Sequence, residues 1–214
     1  FNYDFNKYGG SEFTIFSGIL AVSQLTALIL FPILAKKFKR KSIFTFAFGM
    51  IVVGYAIFMS TGYVLLPKNM LVIGIAGLFL FSGQGFIQVL VLVMLADTIE
   101  YGQWKRKKRN ESIIFAINPF VTKLATSFQV LIVGITLSLS KLSDVTEVIA
   151  NNQNTNTNYT TDMARADISS LVTTPMLLIL RLSMIVIPLL LIGLSYIIYL
   201  KKYKIDEVMY EEIT

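Results

Sequence analysis

The chain has 214 residues, of which 55% are hydrophobic and only 15% are charged, a balance typical of membrane proteins rather than of soluble domains. It contains no cysteine and no histidine, which excludes disulfide frameworks, Cys/His metal sites and nucleophilic dyads built on either residue. The basic residues behind the net charge of +6 cluster between hydrophobic runs, which indicates membrane orientation rather than binding to nucleic acid.

Five apolar runs are each long enough to cross a bilayer as a helix. They cover residues 13–34, 43–66, 70–97, 112–139 and 174–200. Residues 1–10 resemble the outer end of a preceding helix followed by a turn, so we expect an upstream part to be missing. The sequence predicts an all-α, polytopic membrane protein in which residues 11–200 form a bundle of five transmembrane helices and residues 201–214 form a tail.

The basic residues fall on one side of these runs. Five of the 19 lysines and arginines lie at 36–41, five at 105–109 and three at 201–204. The opposite connections hold only Lys68, Lys141 and Arg165. By the positive-inside rule, we expect a multi-pass protein of the cell inner (plasma) membrane with a cytoplasmic C-terminus.

Other residues carry structural predictions. Gly83 and Gly85 belong to a set of glycines in the third run that favours close helix packing. Arg181, near the outer end of the fifth run, is expected to extend its charged group towards the membrane surface. The polar stretch 140–173 contains an asparagine- and threonine-rich tract at 151–158 that we expect to be mobile.

Charged residues cluster where the third run meets the fourth. Asp97 and Glu100 stand three apart and so share a face of a helix. With Arg109 and Glu111 they could form a cluster that fixes this connection to neighbouring helices, or they could be ordinary solvated charges at a helix end. A metal-dependent hydrolase would need further ligands nearby, so no metal site is predicted.

Lys123 is the main candidate for a functional residue. It lies 12 residues beyond Glu111, about 18 Å along a helix, in a run that is almost entirely apolar. A charge at that depth is costly unless it meets a partner or a watery cavity. Pro119 bends the helix nearby and frees a carbonyl group, and Asn118 and Thr122 add hydrogen-bonding groups. The alternative is a packed, kinked helix whose lysine pairs internally.

Gln84 and Gln88 place two amides on one face of the third run. Buried amides in lipid usually bond to another helix, and a solute-facing role is equally compatible with the sequence.

Asp-Thr-Ile-Glu-Tyr-Gly-Gln-Trp-Lys at 97–105, Arg-Asn-Glu-Ser at 109–112 and the lysine inside the next run resemble the glycoside–pentoside–hexuronide:cation symporters, which are sugar transporters of the major facilitator superfamily. The resemblance covers nearly the whole chain, which is similar to the C-terminal half of those proteins. It implies a helical bundle in which Lys123, Asn118, Thr122 and Gln88 face the sugar. It also implies cytoplasmic gate contacts at Asp97, Glu100, Arg109 and Glu111.

The resemblance further implies symport of a sugar or glycoside with Na⁺ or H⁺, with no other cofactor, and not an enzyme. The partners it implies are the substrate, the coupling cation, the lipid bilayer and an N-terminal half that supplies the cation-binding acids. Two alternatives stay open: a lipid or lysolipid carrier of the same superfamily, and a membrane scaffold that transports nothing.

Overall fold

A computed structural model of the chain describes residues 3–4, 10–62, 66–107 and 111–203. These residues form seven α-helices and no β-strand. In chain order the helices are α1 (Glu12–Ala35), α2 (Arg40–Ser60), α3 (Met70–Arg106), α4 (Glu111–Leu139), α5 (Leu142–Thr155), α6 (Thr161–Leu171) and α7 (Thr174–Lys202).

Five of the helices, α1, α2, α3, α4 and α7, are long and apolar enough to cross a membrane, which confirms the predicted spans. Two boundaries differ from the prediction. Helix α2 ends at Ser60 rather than at residue 66. Helix α3 continues nine residues past Asp97 to Arg106, where Lys105 and Arg106 stabilise the negative end of the helix dipole. The charged segment after Asp97 is therefore helical.

One compact unit comprises Ser17–Leu124 and Leu189–Thr214. In it, α1, α2 and α3 share a buried apolar core made of Ala27, Phe31, Ile43, Phe44, Ala47, Phe86 and Leu90. Glycines let these helices approach closely, as predicted. A Cβ atom added at Gly83 would lie 2.7 Å from the Ala47 carbonyl oxygen, and one at Gly85 would lie 2.8 Å from the Ala27 Cβ.

The other unit comprises Phe1–Phe16 and Ala125–Pro188, and it contains the polar stretch between the fourth and fifth spans. The expectation of a mobile tract was wrong for the part in α5, because residues 142–155 form a helix that packs on α6. Val145 and Ile149 on α5 and Ala164 and Ile168 on α6 bury a small core of their own. Its side chains are spaced four apart, so each helix presents one apolar face.

Hydrogen bonds complete this α5–α6 hairpin. The Tyr159 hydroxyl donates to Asp167 Oδ2 at 2.6 Å, and the Asn152 amide donates to the same oxygen at 3.0 Å. An asparagine from the supposedly mobile tract thus has a specific structural partner. The polar composition of this stretch therefore did not indicate that it forms two amphipathic helices.

Arg181 on α7 has its side chain buried within the protein rather than extended outwards, so that prediction was also wrong. Its side chain is 4% exposed and its Nε donates a hydrogen bond to Asp4 Oδ2 within an ion pair. Asp4 is itself 10% exposed. Because a buried arginine is stable only with a partner, this ion pair explains how the guanidinium can leave water.

Candidate functional site

Asp97 is the centre of a buried polar cluster. Its carboxylate is 3% exposed. Oδ1 accepts a hydrogen bond from Arg40 Nη2 at 3.0 Å, and Oδ2 accepts one from the Tyr203 hydroxyl at 3.1 Å. Arg40 is the first residue of α2 and Tyr203 follows the last residue of α7, so one side chain of α3 connects the ends of two other helices. We call Arg40, Asp97 and Tyr203 the Asp97 cluster.

Burial, and then the charge and hydrogen bond of Asp97, raise the pKa of Tyr203 above its usual value. The phenol therefore stays protonated at neutral pH and keeps the proton that it donates to the carboxylate. The Arg40 guanidinium supplies the compensating positive charge. This arrangement satisfies both oxygens of the carboxylate, the condition under which a buried acid is tolerated.

Aromatic side chains pack around the same helix ends. The Phe44 ring on α2 stacks on the Tyr199 ring of α7, with 4.7 Å between the ring centroids, and on the Tyr196 ring at 5.4 Å. The Tyr196 hydroxyl lies 2.8 Å from the Thr45 hydroxyl oxygen. These contacts hold α2 against α7 about one turn from Arg40.

Glu100 and Glu111, two of the other predicted gate residues, have different surroundings. Glu100 lies one turn beyond Asp97 on α3, and its Oε2 is buried with no hydrogen-bond partner within the described ranges. Glu111 is the half-buried first residue of α4, where its charge favours the positive end of the helix dipole. Arg109 lies outside the described residues.

Three predicted substrate residues lie on α4. Asn118 and Thr122 occupy the same face one turn apart, and the Thr122 hydroxyl donates to the Asn118 carbonyl oxygen at 2.9 Å. Lys123 is the next residue and its side chain is exposed, as is that of Thr122. Within the 29 residues of α4, Lys123 is about 18 Å from the first residue and about 24 Å from the last. The lysine therefore lies near the middle of a helix long enough to span a bilayer.

Helix α4 is unusual among the spans because only Thr136 is buried along its whole length. Pro119 lies inside it, so the Phe115 carbonyl lacks its usual helical donor, as predicted. Gln88, the fourth predicted substrate residue, is on α3 with an exposed side chain that makes no hydrogen bond to any described residue. The structure thus groups the three residues of α4 and shows no hydrogen bond that joins Gln88 to them.

Sequence reasoning missed Arg40 and Tyr203. Arg40 was grouped with the basic connection at 36–41 as an orientation signal, and it lies 57 residues from Asp97. Tyr203 lies 106 residues from Asp97, in a stretch dominated by lysines and tyrosines. Neither pairing has a local signature in the sequence. A single buried acid beside a long apolar run was the one signal that a basic partner must exist.

The sequence of the chain matches the model of a known protein family. Residues 1–207 match the model of the family described as MFS/sugar transport protein. The chain belongs to that family. The match confirms the resemblance to cation symporters of the major facilitator superfamily, and it places the chain among transporters rather than enzymes.

Similar proteins carry the names of sugar carriers. A lactose permease of Leuconostoc lactis is 33% identical over 124 residues, which is 58% of this chain and 18% of that protein. A raffinose carrier protein of Pediococcus pentosaceus is 32% identical over 58% of this chain and 18% of its own length. An isoprimeverose transporter of Lactiplantibacillus pentosus is 29% identical over 63% of this chain and 28% of its own length. The chain thus matches less than a third of the length of these relatives.

Proposed function

We propose that the chain is the C-terminal half of a plasma-membrane symporter that moves a sugar or glycoside together with Na⁺ or H⁺. The observation that carries this proposal is the family match over residues 1–207, and the names of the relatives support sugar as the class of substrate. An N-terminal half would supply the acidic residues that bind the cation.

In this proposal α4 forms part of the wall of the central site. Lys123, Asn118 and Thr122 face the solute from α4, and Gln88 faces it from α3. An exposed lysine near the middle of a spanning helix supports this assignment. Burying a charge at that depth in lipid costs about 3 kcal/mol, unless the charge is hydrated in a cavity or paired with an acidic residue. Lys123 would balance the cation-binding carboxylates, so that cation and sugar binding are coupled through shared charge.

The Asp97 cluster serves as an anchor of the cytoplasmic gate. Alternating access in such transporters is a rocking of two half-bundles around a fixed site. Opening and closing of a gate requires helix ends that move together. Asp97 on α3 provides such a connection because it accepts hydrogen bonds from Arg40 on α2 and from Tyr203 at the end of α7. Glu100, Arg109 and Glu111 would then exchange partners with the other half when the gate opens. By the positive-inside rule, this end of the helices and the C-terminus are cytoplasmic.

Uptake into proteoliposomes tests the proposal. The transporter containing this chain is reconstituted and given labelled glycosides, pentosides and hexuronides one at a time, with and without an imposed Na⁺ or proton gradient. Accumulation driven by one gradient is the expected result, and it identifies both the substrate and the ion. Accumulation of no sugar under either gradient would contradict the proposal, and uptake of a labelled lysolipid instead would assign the chain to the lipid carriers.

A further inference from the structure

A cavity of about 360 Å³ opens between the end of α1 and the start of α2. Its lining consists of four apolar residues and one serine: Leu34, Phe38, Ile43, Phe46 and Ser42. Phe46 lies six residues into α2, so the cavity extends about 9 Å along the helix from its first residue. Phe38 and Phe46 are each more than half exposed, which leaves an apolar groove that none of the described residues fills.

Four lysines lie in the connection that contains the lining residue Phe38: Lys36, Lys37, Lys39 and Lys41. All four are exposed, and none of their side chains forms an ion pair or hydrogen bond with any of the residues that the structure describes. The fifth cation of the connection, Arg40, already binds Asp97. The charges of the four lysines therefore have no acidic partner within the described residues.

This basic connection differs from the two others. No aspartate or glutamate occurs between Glu12 and Asp97 in the sequence. The connection at 105–109 has Glu100 and Glu111 close by, and the cluster at 201–204 is followed by four acids within ten residues. Signals for membrane orientation need only the positive charge, whereas here the four lysines also lack any acidic neighbour along the chain and lie beside an apolar groove.

The start of α2 adds to the positive charge of these lysines. Its N-cap residue, Lys39, makes no side-chain capping bond, and the first turn contains no acidic residue. The positive end of the helix dipole therefore points at lysines, although a negative group is what it favours. An anion held among these lysines would satisfy both the side chains and the exposed backbone N–H groups.

We propose that this groove binds an anionic phospholipid. The lysines and the start of α2 hold the phosphate-bearing headgroup, and an acyl chain lies along Leu34, Ile43 and Phe46. A soluble anion would leave the apolar surface exposed, and a zwitterionic lipid would leave the lysine charges uncompensated. Charge and shape together fit an anionic head with an apolar tail. The inference needs only that the helices span a membrane, so it holds whatever solute is transported.

Native mass spectrometry of the purified full transporter measures this binding directly. We expect the first phosphatidylglycerol to bind at least about tenfold more tightly than the first phosphatidylcholine. Changing all four lysines (Lys36, Lys37, Lys39 and Lys41) to glutamine should remove that preference, because each lysine near an anionic headgroup contributes about a fivefold effect. Ser42→Trp, which fills the groove and keeps the charges, should weaken the lipid binding at least about tenfold as well, because the acyl chain loses its place.

A matched control replaces four other lysines of the same predicted side by glutamine, namely Lys105, Lys107, Lys201 and Lys202. This control should keep the preference. Equal binding of the two lipids by the unchanged protein would overturn the proposal, and it would indicate that another part of the transporter covers the groove. Equal loss in both quadruple variants would also overturn it, since bulk charge alone would then explain the effect. None of these outcomes depends on measuring transport.

Discussion

The ion pair between Arg40 and Asp97 predicts a strongly asymmetric response to mutation. Arg40→Met leaves the Asp97 carboxylate buried, at 3% exposure, without its ion pair to Arg40. Breaking a buried pair in this way costs about 3–5 kcal/mol of stability. Asp97→Asn removes the buried charge itself, and the Arg40 side chain, at 18% exposure, can turn towards water. The loss should therefore be smaller, about 1–2 kcal/mol.

The double variant separates the interaction from the two single losses. Because Arg40→Met and Asp97→Asn each remove the same ion pair, their combined cost should fall short of the sum by about 1–3 kcal/mol. Reversible unfolding of the purified protein in mixed micelles, titrated with a denaturing detergent, measures all four free energies. Additive losses, or an Asp97→Asn variant less stable than Arg40→Met, would refute the buried pairing described above.

Three further predictions concern packing and partners, each measured by the same unfolding titration. Gly83→Ala should lower the free energy of unfolding by about 1–3 kcal/mol because its Cβ meets the backbone of α2. Gly49→Ala, which has open space around it, should not destabilise the protein. Equal effects of the two substitutions would contradict close packing at Gly83. Arg181→Leu should cost about 3–5 kcal/mol because the buried ion pair with Asp4 is broken, and an unchanged stability would exclude that ion pair. Tyr203→Phe should lower the free energy of unfolding by about 1 kcal/mol. No loss would show that the Tyr203 hydroxyl does not form a stabilising hydrogen bond with Asp97.

The spanning helices were predictable because the bilayer makes length and hydropathy decisive. A run of about 20 apolar residues has few alternatives to a membrane helix, so five runs gave five helices. The exact ends depend on local chemistry instead. Helix α3 continues past Asp97 because the next nine residues contain no proline and only one glycine, Gly102, which a helix tolerates.

The α5–α6 hairpin shows where composition misleads. Its asparagines and threonines suggested a mobile chain, but Val145 and Ile149 were visible at helical spacing within the same stretch. These two short amphipathic helices bury their apolar faces against each other, so neither helix is convincing when considered alone. Periodicity within the polar stretch was the signal that could have revealed them.

The candidate site was predictable only in part. A carboxylate and a lysine beside or within apolar runs are unusual enough to identify Asp97 and Lys123 from sequence. The partners of Asp97 are brought together by tertiary packing over 57 and 106 residues, and no local pattern encodes such distances. The grouping of Asn118 and Thr122 followed from helical spacing alone.

The central claim is that Lys123 couples sugar movement to a cation gradient. The most direct measurement compares Lys123→Leu with Lys201→Leu in proteoliposomes that contain the full transporter, using the sugar identified in the uptake panel. Lys123→Leu should abolish accumulation against a sugar gradient, whereas Lys201→Leu, which changes an exposed lysine at the end of α7, should accumulate sugar normally. Unchanged gradient-driven accumulation by Lys123→Leu would contradict the account.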